Sequence, residues 1–191
     1  MGSIKNFLLA ASLAALMAFV AASSASATTL YSGSTELGAG TTIDFSIPSG
    51  KSAVLVDTTG ESLDTCTTST VRGTLSSGAT GSGETLTWGS CTFPTSTVTG
   101  SSLEVISTGG TNGEVKADGT VEVTINTVFF GSCIYGVTNG TKIGTLAGNP
   151  ATYTANAVTE KFSGSSLACP STAKFTGTYN STEPFSFHVE P

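Results

Sequence analysis

His188 is the only histidine in the chain, so a Ser or Cys triad that relies on an imidazole must use that ring as its base. It sits in an alternating stretch where Phe185, Phe187 and Val189 share one face and Ser186 and His188 the other, which reads as a solvent-facing imidazole. Zinc and copper sites built from several imidazoles are excluded. Carboxylates are the remaining acid–base candidates: Asp57, Glu61 and Asp64 lie close in sequence, and Glu104 and Glu122 fall in strand-like segments. Glycoside hydrolysis needs two carboxyl groups roughly 5 to 10 Å apart across a cleft. Nothing in their spacing fixes such a pair, and carboxylates on a weakly charged domain are by default surface groups. Calcium would accept the hard oxygens of Asp57, Glu61 and Asp64, although their spacing matches no defined calcium loop. No catalytic residue, resident metal or cofactor is therefore expected.

The segment VLVDTTG at residues 54–60 is superficially similar to the Asp-Thr-Gly loop of aspartic proteases, but Thr59 interrupts the tripeptide and Asp118-Gly119-Thr120 has the wrong order. The four cysteines carry a clearer message. Cys66, Cys91, Cys133 and Cys169 contain no C-x₂-C pair, which argues against a four-cysteine zinc site and for two disulfides. Their division into an early and a late pair favours Cys66–Cys91 and Cys133–Cys169 among the three possible connectivities. Exposed aromatics that stack on sugar faces are a common device in β-modules, and Trp88, Tyr135, Tyr153 and Tyr179 are the candidates here. Trp88 shares a face with Leu86 beside Cys91, which favours a core position for it.

The elements that must position these residues are strands. Residues 120–136 (TVEVTINTVFFGSCIYG) alternate strongly and lead into Cys133, and this stretch is expected to be the central strand. Residues 41–47 and 53–56 suggest an early antiparallel pair around the turn Pro48-Ser49-Gly50. Further short strands are expected at 29–32, 66–70, 71–75, 85–93 (with Gly89 a possible bulge), 101–107, 151–158, 160–162, 173–179 and 185–189. Asp118-Gly119, Asn139-Gly140 and Gly148-Asn149-Pro150 are tight-turn signals, the first of them a two-residue hairpin signal. Short strands with turns every ten residues or so predict an all-β antiparallel β-sandwich of immunoglobulin-like or Greek-key type, with a partly open β-barrel as the alternative.

Composition sets the compartment and the partners. Residues 1–27 have the form of a signal peptide: Lys5, an apolar run over residues 7–20, and Ala25-Ser26-Ala27 before the cut. Residues 28–191 are then a single domain, secreted and extracellular or loosely associated with the cell surface, without membrane insertion. Cleavage removes one of seven basic residues and none of thirteen acidic ones, leaving a net charge of about −7. One Arg and five scattered Lys do not make a phosphate-binding surface, so nucleic acid is not an expected partner. Only 10% of residues are charged, so Ser, Thr, Asn and Gly must cover most of the surface.

Five segments, TWGSCTFP (87–94), SLEVI (102–106), VTINTVFFGSCIYG (123–136), GTLAGNPAT (144–152) and ACPSTAKFTGTY (168–179), resemble a group of uncharacterised exported proteins of soil actinobacteria. The resemblance implies secretion and a β-rich fold, and it carries no activity and no functional residue. The expected function is thus a non-enzymatic secreted or cell-surface protein with a structural or adhesive role; the alternative is an extracellular carbohydrate-binding module. Its partners would be cell-wall or environmental polysaccharide, or other copies of the chain joined through edge strands.

Overall fold

The computed structural model describes residues 28–77, 79–93, 97–100, 102–127, 131–164 and 169–191. The expected signal peptide and the apolar residues Val128, Phe129 and Phe130 lie outside them. Fifteen strands occur among the described residues: β1 (Thr29–Ser32), β2 (Thr35–Glu36), β3 (Thr42–Ser46), β4 (Ala53–Asp57), β5 (Ser62–Ser77), β6 (Thr80–Cys91), β7 (Thr97–Thr99), β8 (Leu103–Gly109), β9 (Asn112–Ala117), β10 (Val121–Thr127), β11 (Gly131–Val137), β12 (Lys142–Ala147), β13 (Thr152–Ser163), β14 (Thr172–Glu183) and β15 (Phe187–Glu190). Their pairings are antiparallel, as the alternating sequence predicts.

Two long pairs form the frame. β5 runs against β6 from Cys66↔Cys91 to Ser77↔Thr80, and β13 runs against β14 from Thr152↔Asn180 to Glu160↔Thr172. β3 and β4 do not pair with each other, contrary to the expected early hairpin. They lie end to end in the slot between β5 and β14, each bonded to both. The physical reason is length: β5 and β14 carry 16 and 12 residues, and two five-residue strands in tandem satisfy backbone groups that one could not reach.

The facing wall is divided in the same way. β12 pairs with one end of β13 and continues through β9 and β8; β11 pairs with the other end and continues through β10 and β7. Residues 120–136 are thus a hairpin in the outer wall and not one central strand. Val121 faces Val137, Thr127 faces Gly131, and Gly131 has φ +78°. Asp118-Gly119 likewise turns the chain without making a hairpin, since β9 and β10 belong to different halves of this wall. That link is tied to the β11–β12 link instead: Ala117 N donates to Thr141 O, and Gly140 N to Ala117 O, at 2.9 and 2.8 Å. The register shifts of β5–β6 fall between Arg72 and Thr74 and between Leu75 and Ser77, and none falls at Gly89.

The main sheet is not a closed barrel. Among the described residues β6 and β8 pair at Thr80↔Glu104 alone, and β6 and β7 do not pair. The result is a sandwich-like fold with two core clusters. One holds Leu30, Phe45, Val115, Tyr153, Tyr179 and Phe187; the other holds Leu55, Val123, Ile125, Tyr135 and Ala173; Phe175 packs against both. A small sheet in the order β15-β1-β2 covers the first cluster with Leu30, Phe187 and Val189.

Disulfides join Cys66 to Cys91 and Cys133 to Cys169, the pairing favoured by the sequence. The first crosses the β5–β6 pair, and the second fastens β11 to the segment entering β14. Sequence separations of 25 and 36 residues correspond to about 3–4 kcal/mol each in the chain-entropy account.

Close packing also dictates Gly144 on β12. A Cβ there would lie 2.5 Å from both the Tyr153 ring and the Thr154 carbonyl oxygen. Gly144→Val is therefore expected to lose about 3 kcal/mol, because a ring and a neighbouring strand must both move. Urea titration of the two proteins measures the difference.

Candidate functional site

His188 is buried, at 3% exposure, which corrects its expected solvent-facing position. The turn before β15 breaks the alternation: Phe185 is exposed, whereas Phe187, His188 and Val189 are all buried. The imidazole stacks on Tyr31 at 5.7 Å between ring centres. Nδ1 lies 3.2 Å from the Ser186 carbonyl oxygen, and Nε2 lies 3.2 Å from Glu190 Oε1. A triad would place one of these nitrogens on a nucleophile. Here both are engaged by oxygens that do not attack, and Ser186 Oγ bonds to Ser32 Oγ at 2.9 Å.

The acidic cluster is dispersed by the β4–β5 turn. Asp57 Oδ1 accepts from Thr59 N, Thr59 Oγ1 and Glu61 N at 2.7–2.9 Å and so organises the turn. Its bond from the Thr59 hydroxyl, with help from backbone amides, holds the carboxyl below its ordinary pKa. Glu61 is exposed, while Asp64 is buried and accepts from Thr65 N at 2.8 Å and Phe93 N at 3.2 Å. Among the described residues the one tight cluster of ligand atoms is Asp64 with Cys66 and Cys91. Its sulfurs are bonded to each other, so it offers no thiolate to a metal.

The four aromatic candidates are drawn inward. Tyr135 and Tyr179 are fully buried, Tyr153 nearly so, and Trp88 is half-buried against Phe175 with ring centres 5.4 Å apart. Tyr153 and Tyr179 lie 5.6 Å apart in the first core cluster. Tyr179 Oη and Ser69 Oγ form a 3.0 Å hydrogen bond, and Tyr153 Oη donates to Ile143 O at 3.4 Å. By contrast, Tyr135 Oη and Trp88 Nε1 are buried and have no hydrogen-bond partner among the described residues. Such an orphaned polar atom costs about 1–3 kcal/mol. Both residues line an apolar interior cavity of about 70 Å³, and a second cavity of about 70 Å³ shares Val71, Leu103 and Tyr153 with it.

The outer face of β13 and β14 is a different environment. Thr154, Asn156, Thr176 and Thr178 sit in paired rows, Thr154 opposite Thr178 and Asn156 opposite Thr176. Two shallow hollows, of about 340 and 400 Å³, meet at Thr154 and Asn156. Lys51 and Lys174 line the smaller one together with Ser52, Thr176 and Thr178, and neither lysine makes an ion pair among the described residues. Lys142 borders the larger hollow and is bound to Glu114 at 2.9 Å. The sequence reading missed this site. The alternating Thr of residues 152–158 and 172–178 signalled a polar face, but Lys51 is brought to it only by the seating of β4 against β14.

No family model matches the chain, and neither a curated protein nor a solved structure does.

The buried tyrosines set an alkaline limit. Burial pushes the Tyr179 hydroxyl up to about 12 despite its bond to Ser69, and it also raises Tyr153 and Tyr135. Below about pH 10 these phenols are protonated in both the folded and the unfolded chain. Between about 10 and 12 the unfolded chain releases protons that Tyr179 retains, so stability must fall as pH rises, by about 1.4 kcal/mol per unit for each such tyrosine. Denaturant titrations at pH 9, 10.5 and 11.5 should show this slope, and Tyr153→Phe should reduce it.

Proposed function

We propose that the chain is a non-enzymatic exported protein with a structural or adhesive role at or outside the cell surface, and that it adheres to polysaccharide. The observation carrying this reading is the hollow formed by Lys51, Lys174, Thr154, Asn156, Thr176 and Thr178. Hydroxyl and amide groups on a rigid sheet exchange hydrogen bonds with sugar hydroxyls, and two ammonium groups without ion partners among the described residues favour a polymer bearing carboxylate or phosphate. Two disulfides suit an oxidising compartment, and a scarcely charged Thr/Ser surface suits a polyhydroxylated partner.

An extracellular carbohydrate-binding module is the second reading, and it draws on the same hollow. The two differ in self-association. β2 pairs with β1 alone among the described strands and both of its residues are exposed, so one of its sides is open to strand addition from another copy. Sedimentation of the disulfide-intact protein should therefore show assemblies if it is structural, and a monomer if it is a diffusible module.

Affinity electrophoresis through gels containing alginate, pectate or hydroxyethylcellulose tests the adhesion itself. Retardation is expected to be strongest in the two acidic polymers. Replacing both Lys51 and Lys174 by Glu should weaken it at least about tenfold, since each attractive contact becomes repulsive. Unchanged mobility in all three gels, or retardation indifferent to the double substitution, would end the polysaccharide reading.

A further inference from the structure

Beyond the polar hollow, the outer face of β13 becomes apolar. Three large hydrophobic side chains are exposed among the described residues, and two of them, Val158 at 64% and Phe162 at 40%, belong to this strand. Exposed positions recur at every second residue from Thr154 to Phe162. The apolar part is continuous with the hollow: Val158 borders the larger depression together with Thr154 and Asn156, and it is paired with Lys174 across the strands.

Phe162 is seated on the neighbouring strand by a glycine. Gly136 of β11 lies between Tyr135 and Val137, whose side chains are buried in the core, so a Cβ at Gly136 would project to the outer face. That atom would stand 2.9 Å or less from Cδ2, Cε2 and Cζ of Phe162. The ring therefore covers bare backbone where any other residue would displace it, and Gly136 is buried beneath it. An aromatic ring held in this way has little rotamer freedom left to lose when a ligand arrives, which lowers the cost of binding.

Charge changes sign along the same strip. Lys174 stands opposite Val158, whereas Glu160 is exposed and lies two residues from Phe162 on the same face, about 7 Å away by strand rise. Glu160 has no ion-pair partner among the described residues. Within a Debye length of about 8 Å its carboxylate repels an acidic sugar from the ring and leaves that place to a neutral one.

We infer that this face binds a polysaccharide that joins acidic to neutral sugars, and that Phe162 is the platform on which the apolar face of a neutral sugar ring stacks. The acidic sugar lies by Lys51 and Lys174, and Val158 contacts the chain between the two places. Asn156 and Phe162 are about 20 Å apart along the strand, room for several sugar rings. The inference rests on the proposed adhesion to polysaccharide, to which it adds an aromatic contact and a direction along β13.

Affinity electrophoresis of the disulfide-intact protein tests it in hyaluronan, where acidic and neutral sugars alternate, and in pectate, which is built mainly of acidic ones. Phe162→Ala should weaken hyaluronan binding by about threefold to tenfold and leave pectate binding unchanged, which also reports an intact fold. Phe162→Tyr, which keeps the ring, should retain hyaluronan binding. Glu160→Gln should strengthen pectate binding by about twofold or more. Retardation in both gels that is indifferent to Phe162→Ala, or equal losses in the two gels, overturns this inference and leaves polysaccharide adhesion standing. Absence of retardation in either gel overturns both.

Discussion

The fold depends on the backbone pairing of its four longest strands. β5 with β6 and β13 with β14 commit most of their N–H and C=O groups to each other along one side. The other side of β5, β13 and β14 must then be satisfied by whatever short strands the chain supplies. Two such strands placed end to end meet the requirement in the slot between β5 and β14, and two half-length walls meet it beyond β13. A wall made in halves is why the interior divides into two clusters around Phe175. Among the described residues β6 pairs beyond β5 only through Thr80 and Glu104.

Charge plays a small part in this arrangement. The ion pairs of Arg72 with Asp44 and of Lys142 with Glu114 each use an exposed cation that solvent screens, and such pairs contribute little. Large aromatic side chains fill the space between the walls instead. Phe45 meets Phe187 edge-on at 5.5 Å, Tyr153 lies against Tyr179, and Trp88 lies against Phe175. Glycine makes room for some of these rings, as Gly144 does beneath Tyr153. These aromatics thus serve the interior, and the hollow on the outer face is left to threonine, asparagine and lysine.

Much of the fold could be read along the chain, and little of the site. β1 begins and ends where the local pattern placed it, and β4 extends by one residue to Asp57. The expected breaks within residues 66–75 and 151–162 vanish, because continuous partners hold β5 and β13 extended through them. Residues 120–136 show the opposite error. Alternation continues on both sides of the reversal, so it cannot reveal that Val121 faces Val137. His188 misled for a related reason: alternation assigns a face only if the strand begins where it is assumed to, and β15 starts at Phe187.

By itself the sequence determined the all-β class, the antiparallel habit, the presence of two disulfides and the scarcity of histidine; which cysteines pair it only favoured, and the structure decided. Those four follow from residue type or from spacing between near neighbours, and both are properties of the chain alone. Only the tertiary structure decided which side of each strand is inside, and so whether a tyrosine meets solvent or a cavity. It alone brought Lys51 beside Lys174, and Trp88 across from Tyr135. Those choices rest on which distant strand satisfies a given backbone edge. Hydrogen-bonding groups are identical along the backbone, so that partner is selected by the packing of the whole and not by local sequence.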